Sequence, residues 1–193
     1  MCDGRRDRCV TQHLARPLNA RVVRDVTKRS RQDEKIAWRT VMIVNTSRFG
    51  PVEVDSERII RFPRGILGFP QHQDYVLIQP DNDSSFYWLQ SVDAADLAFV
   101  VTDPLLFVPD YTVPLREETK AELGVQTLEE ASVLVIVNKV GDQLTANLQG
   151  PLVIHSVTRV AAQLVISEKK YQTRHPILNL SRVSKPQYVS KSA

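Results

Sequence analysis

The chain has 193 residues, of which 42% are hydrophobic, 25 are Lys or Arg and 22 are Asp or Glu. That length and apolar content suit one folded domain with tails, and they exclude a wholly disordered chain. The longest unbroken apolar runs, Leu97–Val101 and Val133–Val137, fall far short of the ~20 residues that a membrane-spanning helix needs.

The net charge of +3 is unevenly placed. Residues 1–41 hold 11 basic and 5 acidic residues, residues 42–180 hold 11 and 17, and residues 181–193 add three basic ones. The expected folded body is therefore acidic. It favours basic partners and disfavours phosphate backbones, while the basic charge sits in the tails.

In chain order, residues 1–41 read as a basic, disordered extension. They show no sustained period, and a helix over Leu18–Val26 would be weak. A nucleic-acid- or membrane-binding arm and an upstream start before Met42 are the alternatives. Arg5-Arg6 has no apolar stretch behind it, so no export signal is expected and the cytoplasm is the expected compartment. Cys2 and Cys9, with His13, form an incomplete ligand set with no C-x-x-C pair, so free thiols are expected and no metal, cofactor or disulfide framework.

From Met42 the pattern becomes β. Ile43-Val44 and Val52–Val54 flank a turn at Arg48-Phe49-Gly50-Pro51, and Arg58–Phe62 is a strand closed by Pro63. Pro63–Pro70 is an ordered loop whose Ile66, Leu67 and Phe69 should plug the core. Tyr75–Gln79, Phe86–Val92 and Leu97–Thr102 are strands, with turns over Asp81–Ser85 and Asp93–Asp96. Pro114, Leu115–Leu123 and Gly124 predict the one convincing helix and its C-cap, and Thr127 with Glu130 fits a capping box. Ser132–Val140 is β-branched on both faces and predicts a central strand. Leu144–Leu148, Leu152–Ser156 and Val160–Ile166 are the last strands, with a kink at Gly150-Pro151 and a chain exit at Pro176. Beyond Leu180 a flexible basic tail is expected. The sum is a mainly β, antiparallel barrel-like or sandwich domain over 42–180 with one main short helix, flanked by tails.

No G-x-S-x-G, P-loop, H-E-x-x-H or dinucleotide-binding motif is present. A barrel hydrolase using His155 or His175 with Asp103 or Asp110 needs those side chains to converge in a pocket. Otherwise the histidines are structural and the carboxylates cap turns. Two segments are unusual. Phe86-Tyr87-Trp88-Leu89 places three consecutive aromatics on one strand, so at least one points away from the main core. Asp103–Tyr111 is an apolar, Pro-bounded loop. Together they suit a protein-binding patch, with a core buried on both strand faces as the alternative. The aromatics lie among acids, so direct nucleic-acid binding is not expected of them.

The ordered motifs resemble the FliW family of flagellar assembly factors. They are Arg48-Phe49-Gly50, Phe62-Pro63-x-Gly65-x-x-Gly68-Phe69, Phe86-Tyr87-Trp88-Leu89-Gln90-Ser91-Val92, Leu97–Pro104, Pro109-Asp110-Tyr111, Thr145-Ala146-Asn147-Leu148-x-x-Pro151 and Tyr171-x-Thr173-Arg174-His175-Pro176. The resemblance spans residues 42–178 and leaves both tails without a family counterpart. It implies a small β-barrel-like, non-enzymatic, cytoplasmic protein that binds flagellin and the RNA-binding translational regulator CsrA. CsrA is held off flagellin mRNA, at a surface away from its RNA site, until flagellin displaces it. The motif matches put forward Phe86, Tyr87, Trp88, Asp103, Pro104, Phe107, Asp110 and Tyr111 as partner-binding candidates, with Asn147, Arg174 and His175 behind them. The competing functions are a flagellin-only chaperone, the hydrolase above, and RNA binding through residues 1–41.

Overall fold

The computed structural model describes residues 40–79 and 84–182. The sequence expectations at Leu18–Val26, at Cys2, Cys9 and His13, over most of Asp81–Ser85 and beyond Arg182 lie outside those residues. No helix among the described residues is long and apolar enough to cross a membrane.

The fold is mainly β. Its strands are β1 (Val41–Thr46), β2 (Gly50–Asp55), β3 (Ile60–Arg61), β4 (Asp74–Ile78), β5 (Phe86–Ser91), β6 (Ala98–Thr102), β7 (Ala131–Val140), β8 (Gln143–Ala146), β9 (Leu152–His155), β10 (Ala161–Gln163) and β11 (His175–Asn179), with one α-helix, α1 (Glu117–Leu123). β1 and β2 form a separate hairpin. The other nine strands form one sheet in the order β10-β9-β7-β6-β5-β4-β3, with β8 on β7 and β11 on β8.

The β-branched stretch does become the central strand. β7 pairs with β9 through residues 131–134, with β8 through 137–140 and with β6 on its other edge. Both of its faces are covered: Leu134 and Ile136 belong to one apolar cluster, Val133 and Val135 to another. The sheet curls until its ends touch at a single parallel bridge between Arg61 and Val160, where the Arg61 N–H donates to the Arg159 carbonyl at 2.9 Å. The first cluster draws Phe62, Tyr75, Leu89, Val101, Leu134 and Ile154 from strands all around the curl, and so fills its interior. The second lies under α1 and the 107–125 segment, and a third seats the β1–β2 hairpin on β4 through Val44, Val54 and Val76. Each such buried side chain contributes about 1.5–3 kcal/mol.

Several local expectations need correction. The first hairpin turns at Ser47–Phe49, and Gly50-Pro51 lie inside β2 opposite Thr46 and Asn45, where an edge strand tolerates proline. The Arg58–Phe62 strand shrinks to two residues behind a 3-10 turn at Ser56–Arg58, capped by the Asp55 carboxylate. In the 63–70 loop Ile66 is buried and Phe69 half-buried, but Leu67 is 64% exposed and plugs nothing. The helix starts at Glu117, two residues later than Leu115, and ends as expected with Gly124 at φ 71°. The capping box does not form. Thr127 makes no cap bond, and Glu130 instead accepts the Gln126 N–H at 2.8 Å. β10 ends at Gln163, short of Ile166. Pro176 does not stop the chain's last strand; β11 runs through it, paired with β8, with a register shift between Pro176 and Leu178. Proline is accommodated there because β11 lies at the end of its branch, on β8 alone.

Candidate functional site

Alternation along β5 divides its three aromatics. Tyr87 joins Leu89 toward the interior cluster. Phe86 and Trp88 point to the opposite, outer face, one pleat apart at about 7 Å. All three are half-buried, so neither full exposure nor a core closed on both faces describes them.

Each outward ring is held by a different element. The tip of the β1–β2 hairpin brings Phe49 edge-on to Trp88, with centroids 6.0 Å apart, and sets the Arg48 guanidinium 4.3 Å from the Trp88 ring centre. The tip is fixed in turn. The Thr46 Oγ1 donates to Gly50 O and accepts the Phe49 N–H, and the Ser47 N–H donates to Ala95 O in the β5–β6 turn. At the other end Phe107 stacks on Phe86 at 5.9 Å and 26°. Contacts of this kind contribute about 0.5–1.5 kcal/mol each.

Phe107 is placed by the Pro-bounded loop, whose local chemistry is legible residue by residue. The Asp103 carboxylate accepts the Leu105 N–H at 2.9 Å and starts a 3-10 turn over Pro104–Leu106. Pro104 is buried at the first position of that turn, where its missing N–H costs nothing. The loop's far end is pinned by Tyr111, whose hydroxyl donates to the Leu148 carbonyl at 2.7 Å and whose ring lies 4.7 Å from that of Tyr171. Burial first, then the neighbouring Tyr171 and Glu168, push the Tyr111 hydroxyl pKa well above its usual value. For Tyr171 burial acts upward too, but hydrogen bonds from Thr112 and Lys170 outweigh it and lower the pKa. Between the pinned ends Leu105 and Leu106 stand 51% and 58% exposed. The outcome is an apolar strip running Phe49, Trp88, Phe86, Phe107, Leu106. Its side chains are apolar, and ring contacts and the pinned loop hold them in place.

Of the predicted residues, Phe86, Trp88 and Phe107 build this strip, and Asp103 and the buried Pro104 hold its loop. Tyr87 faces the other way. Tyr111 is a buried anchor, and Asp110 lies exposed beside it. Asn147 is half-buried against Gly150, where a Cβ would meet its Nδ2 at 2.7 Å, and its Oδ1 has no hydrogen-bond partner among the described residues. Arg174 is exposed just before β11, and His175 pairs with Ala146 of β8. Arg48, Phe49, Leu105 and Leu106 also contribute, though the sequence reading does not single them out as binding residues. The first two sit in a quoted motif, and the last two are leucines in a capped, Pro-bounded turn, which has no room to bury them.

The hydrolase arrangement does not assemble. His155 pairs with Ala131 at one end of β7, while His175 pairs with Ala146 opposite Val137, six residues along and therefore about 20 Å away. The His155 Nδ1 accepts the Val157 N–H at 3.1 Å and Asp103 is engaged as a cap, so each serves its own turn. Among the described residues no three of His, Cys, Asp or Glu are grouped to hold a metal ion.

Comparison with known proteins decides the family. A family profile described as FliW protein matches residues 43–177, from β1 into β11. The chain belongs to the FliW family. Among curated relatives, the flagellar assembly factor FliW of Alkaliphilus metalliredigens is 39% identical over 140 residues, covering 71% of this chain and 86% of the relative. That of Geobacter sulfurreducens is 38% identical over 146 residues, covering 75% and 91%. A crystal structure of the flagellar assembly factor FliW superposes with a TM-score of 0.66 at 31% identity, covering 71% of this chain and 97% of the other. FliW proteins are named for assembling flagella, a description that includes no catalysis. The β-rich curl with one main helix is thus the FliW fold, and three residues of the strip, Phe49, Phe86 and Trp88, belong to the motifs that resemble the family.

Proposed function

We propose that this protein is a cytoplasmic partner switch: it binds the translational regulator CsrA and keeps it from flagellin mRNA, and it yields CsrA when flagellin binds instead. The observation that carries the reading is the apolar strip, to which the family motifs contribute Phe49, Phe86 and Trp88, on a body that is acidic overall. The strip suits flagellin, a subunit that must bury apolar surface on assembly. The acidic body, with 17 acidic against 11 basic residues over 42–180, suits a protein that must be basic to bind RNA. Linkage requires that RNA weaken CsrA binding here by the same factor by which this protein weakens RNA. The same acidity argues against direct nucleic-acid binding by the body, and residues 42–180 are the unit assigned this role.

The test is calorimetric titration of the full chain with the host's flagellin and, separately, its CsrA, repeated with the double variant Leu105→Asp, Leu106→Asp. Both partners bind the parent, and the variant loses flagellin. Flagellin binding with no CsrA binding would leave a chaperone; binding of neither would end the proposal.

A further inference from the structure

The curled sheet meets itself at one bridge, and beyond that bridge its two ends diverge. One side continues as the 63–70 loop, the other as β10 and the chain to Glu168, and α1 lies across the gap. The opening is a groove of about 920 Å³. β10 pairs with β9 on its inner side only. The Leu164 and Ile166 N–H groups donate inward, to Pro151 O at 2.9 Å and Gln149 O at 2.8 Å. Alternation therefore turns the Gln163 and Val165 N–H groups outward, away from β9 and into the groove. The Gln163 side chain reaches across instead, its Oε1 accepting the Leu67 N–H at 2.8 Å. Leu67 and Val165, each 64% exposed, line the opening.

We propose that this open edge receives an extended, basic segment of the RNA-binding partner as an added strand, which rests on the reading that CsrA is a partner. Main-chain groups of the segment pair with Gln163 and Val165, and its apolar side chains settle on Leu67 and Val165. Two features select the occupant. The edge lies between α1 and the 63–70 loop, a setting that fits a free extended segment better than a second edge recessed in the same way. The lining also carries three carboxylates, Glu118, Glu122 and Glu168, against Arg64 and Arg116, a surplus of one negative charge, with Arg64 and Glu122 paired at 3.1 Å and Glu168 also meeting Lys170 at 3.7 Å. That balance, within an acidic body, matches Lys and Arg. The groove and the apolar strip also share one packed cluster, in which Tyr111 of the strip loop, Leu123 of α1 and Ile166 beside the edge belong together. Flagellin on the strip thus has a physical route by which to disfavour the segment in the groove.

The experiment is amide hydrogen exchange on the full chain, alone and saturated with the host's CsrA, together with the CsrA affinities of Val165→Pro and Val165→Thr. The amides of Gln163 and Val165 should slow at least about tenfold with CsrA. Val165→Pro, which removes one donor, should weaken CsrA about tenfold, the scale of one main-chain hydrogen bond with its neighbours. Val165→Thr, which keeps the N–H donor and loses only part of the apolar contact, should weaken CsrA less than Val165→Pro does, and flagellin affinity should not change with either. CsrA that binds without slowing these amides overturns the groove assignment and leaves the partner switch standing, even where Val165→Pro fails to fold. Slowing that follows the chain's own concentration without CsrA assigns the edge to a second copy and overturns it too. No CsrA binding by the parent overturns both readings.

Discussion

Replacing Gly65 by Ala separates two costs that the structure keeps apart. Gly65 has φ 67°, in the left-handed region, where a side chain costs roughly 1–2 kcal/mol. A Cβ there would also lie 2.6 Å from the Phe69 carbonyl oxygen and 2.6 Å from the Pro70 Cα. Both are backbone atoms, so no rotamer relieves the overlap, and forcing such a contact adds about 1–3 kcal/mol. Gly124 has nearly the same φ, 71°, with nothing within 4 Å of its would-be Cβ. It supplies the control for backbone conformation alone. Ala also narrows the unfolded chain by about 0.4–1 kcal/mol at either site, which cancels in the comparison. Urea unfolding should therefore find Gly65→Ala about 1–3 kcal/mol more destabilising than Gly124→Ala. Equal losses would refute the packing argument for the 63–70 loop. The consequence reaches the groove, because this loop carries the buried Ile66, the Arg64–Glu122 ion pair and the Leu67 N–H bound by Gln163.

Tyr75 is buried, and its hydroxyl has no hydrogen-bond partner among the described residues. Burial, and then the Asp93 charge, push its pKa up to about 12. A folded-state pKa raised from 10.0 gives a stability contribution that is complete below pH 10 and is lost as the pH rises through 12. Tyr75→Phe should flatten that alkaline loss, about 2–3 kcal/mol in all, while changing stability at pH 7 by less than ~1 kcal/mol; denaturant melts from pH 8 to 12 that overlay for the two proteins would contradict this. Tyr111→Phe should cost about 1–2 kcal/mol in the same melts, because it strands the Leu148 carbonyl, and a neutral effect would remove Tyr111 as the loop's anchor. Leu106→Asp should leave stability within ~0.5 kcal/mol and weaken flagellin by about tenfold or more; undiminished binding would take the strip out of the interface.

Where one face of the chain decides, the sequence was legible. The β-branched 132–140 run could only be central, and Gly124 could only end a helix. The three consecutive aromatics had to split across the sheet, and they did. Short-range signals were weaker wherever tertiary pairing competed with them. Pro176 reads as a strand stop until β11 is seen to pair with β8 alone, which leaves its other edge free among the described residues. Leu67 reads as a core plug because sequence cannot tell which side of a loop faces a groove. Of the strip, Phe86 and Trp88 were legible from strand alternation, and the turn that carries Phe107 from the Asp103 cap and Pro104, since such signals are local. Arg48 and Phe49 reach Trp88 only through the seating of the first hairpin, a contact between segments some 40 residues apart that no local pattern encodes. Asp110, Tyr111, Asn147, Arg174 and His175 matched motifs, yet Tyr111 serves as a buried anchor and His175 pairs within the sheet.

The most direct test of the partner switch is one competition. The full chain is titrated into the host's CsrA in a calorimeter, and the titration is repeated with the chain first saturated with flagellin. The account predicts tight binding in the first run and its loss in the second. Equal CsrA affinity in both runs would contradict it.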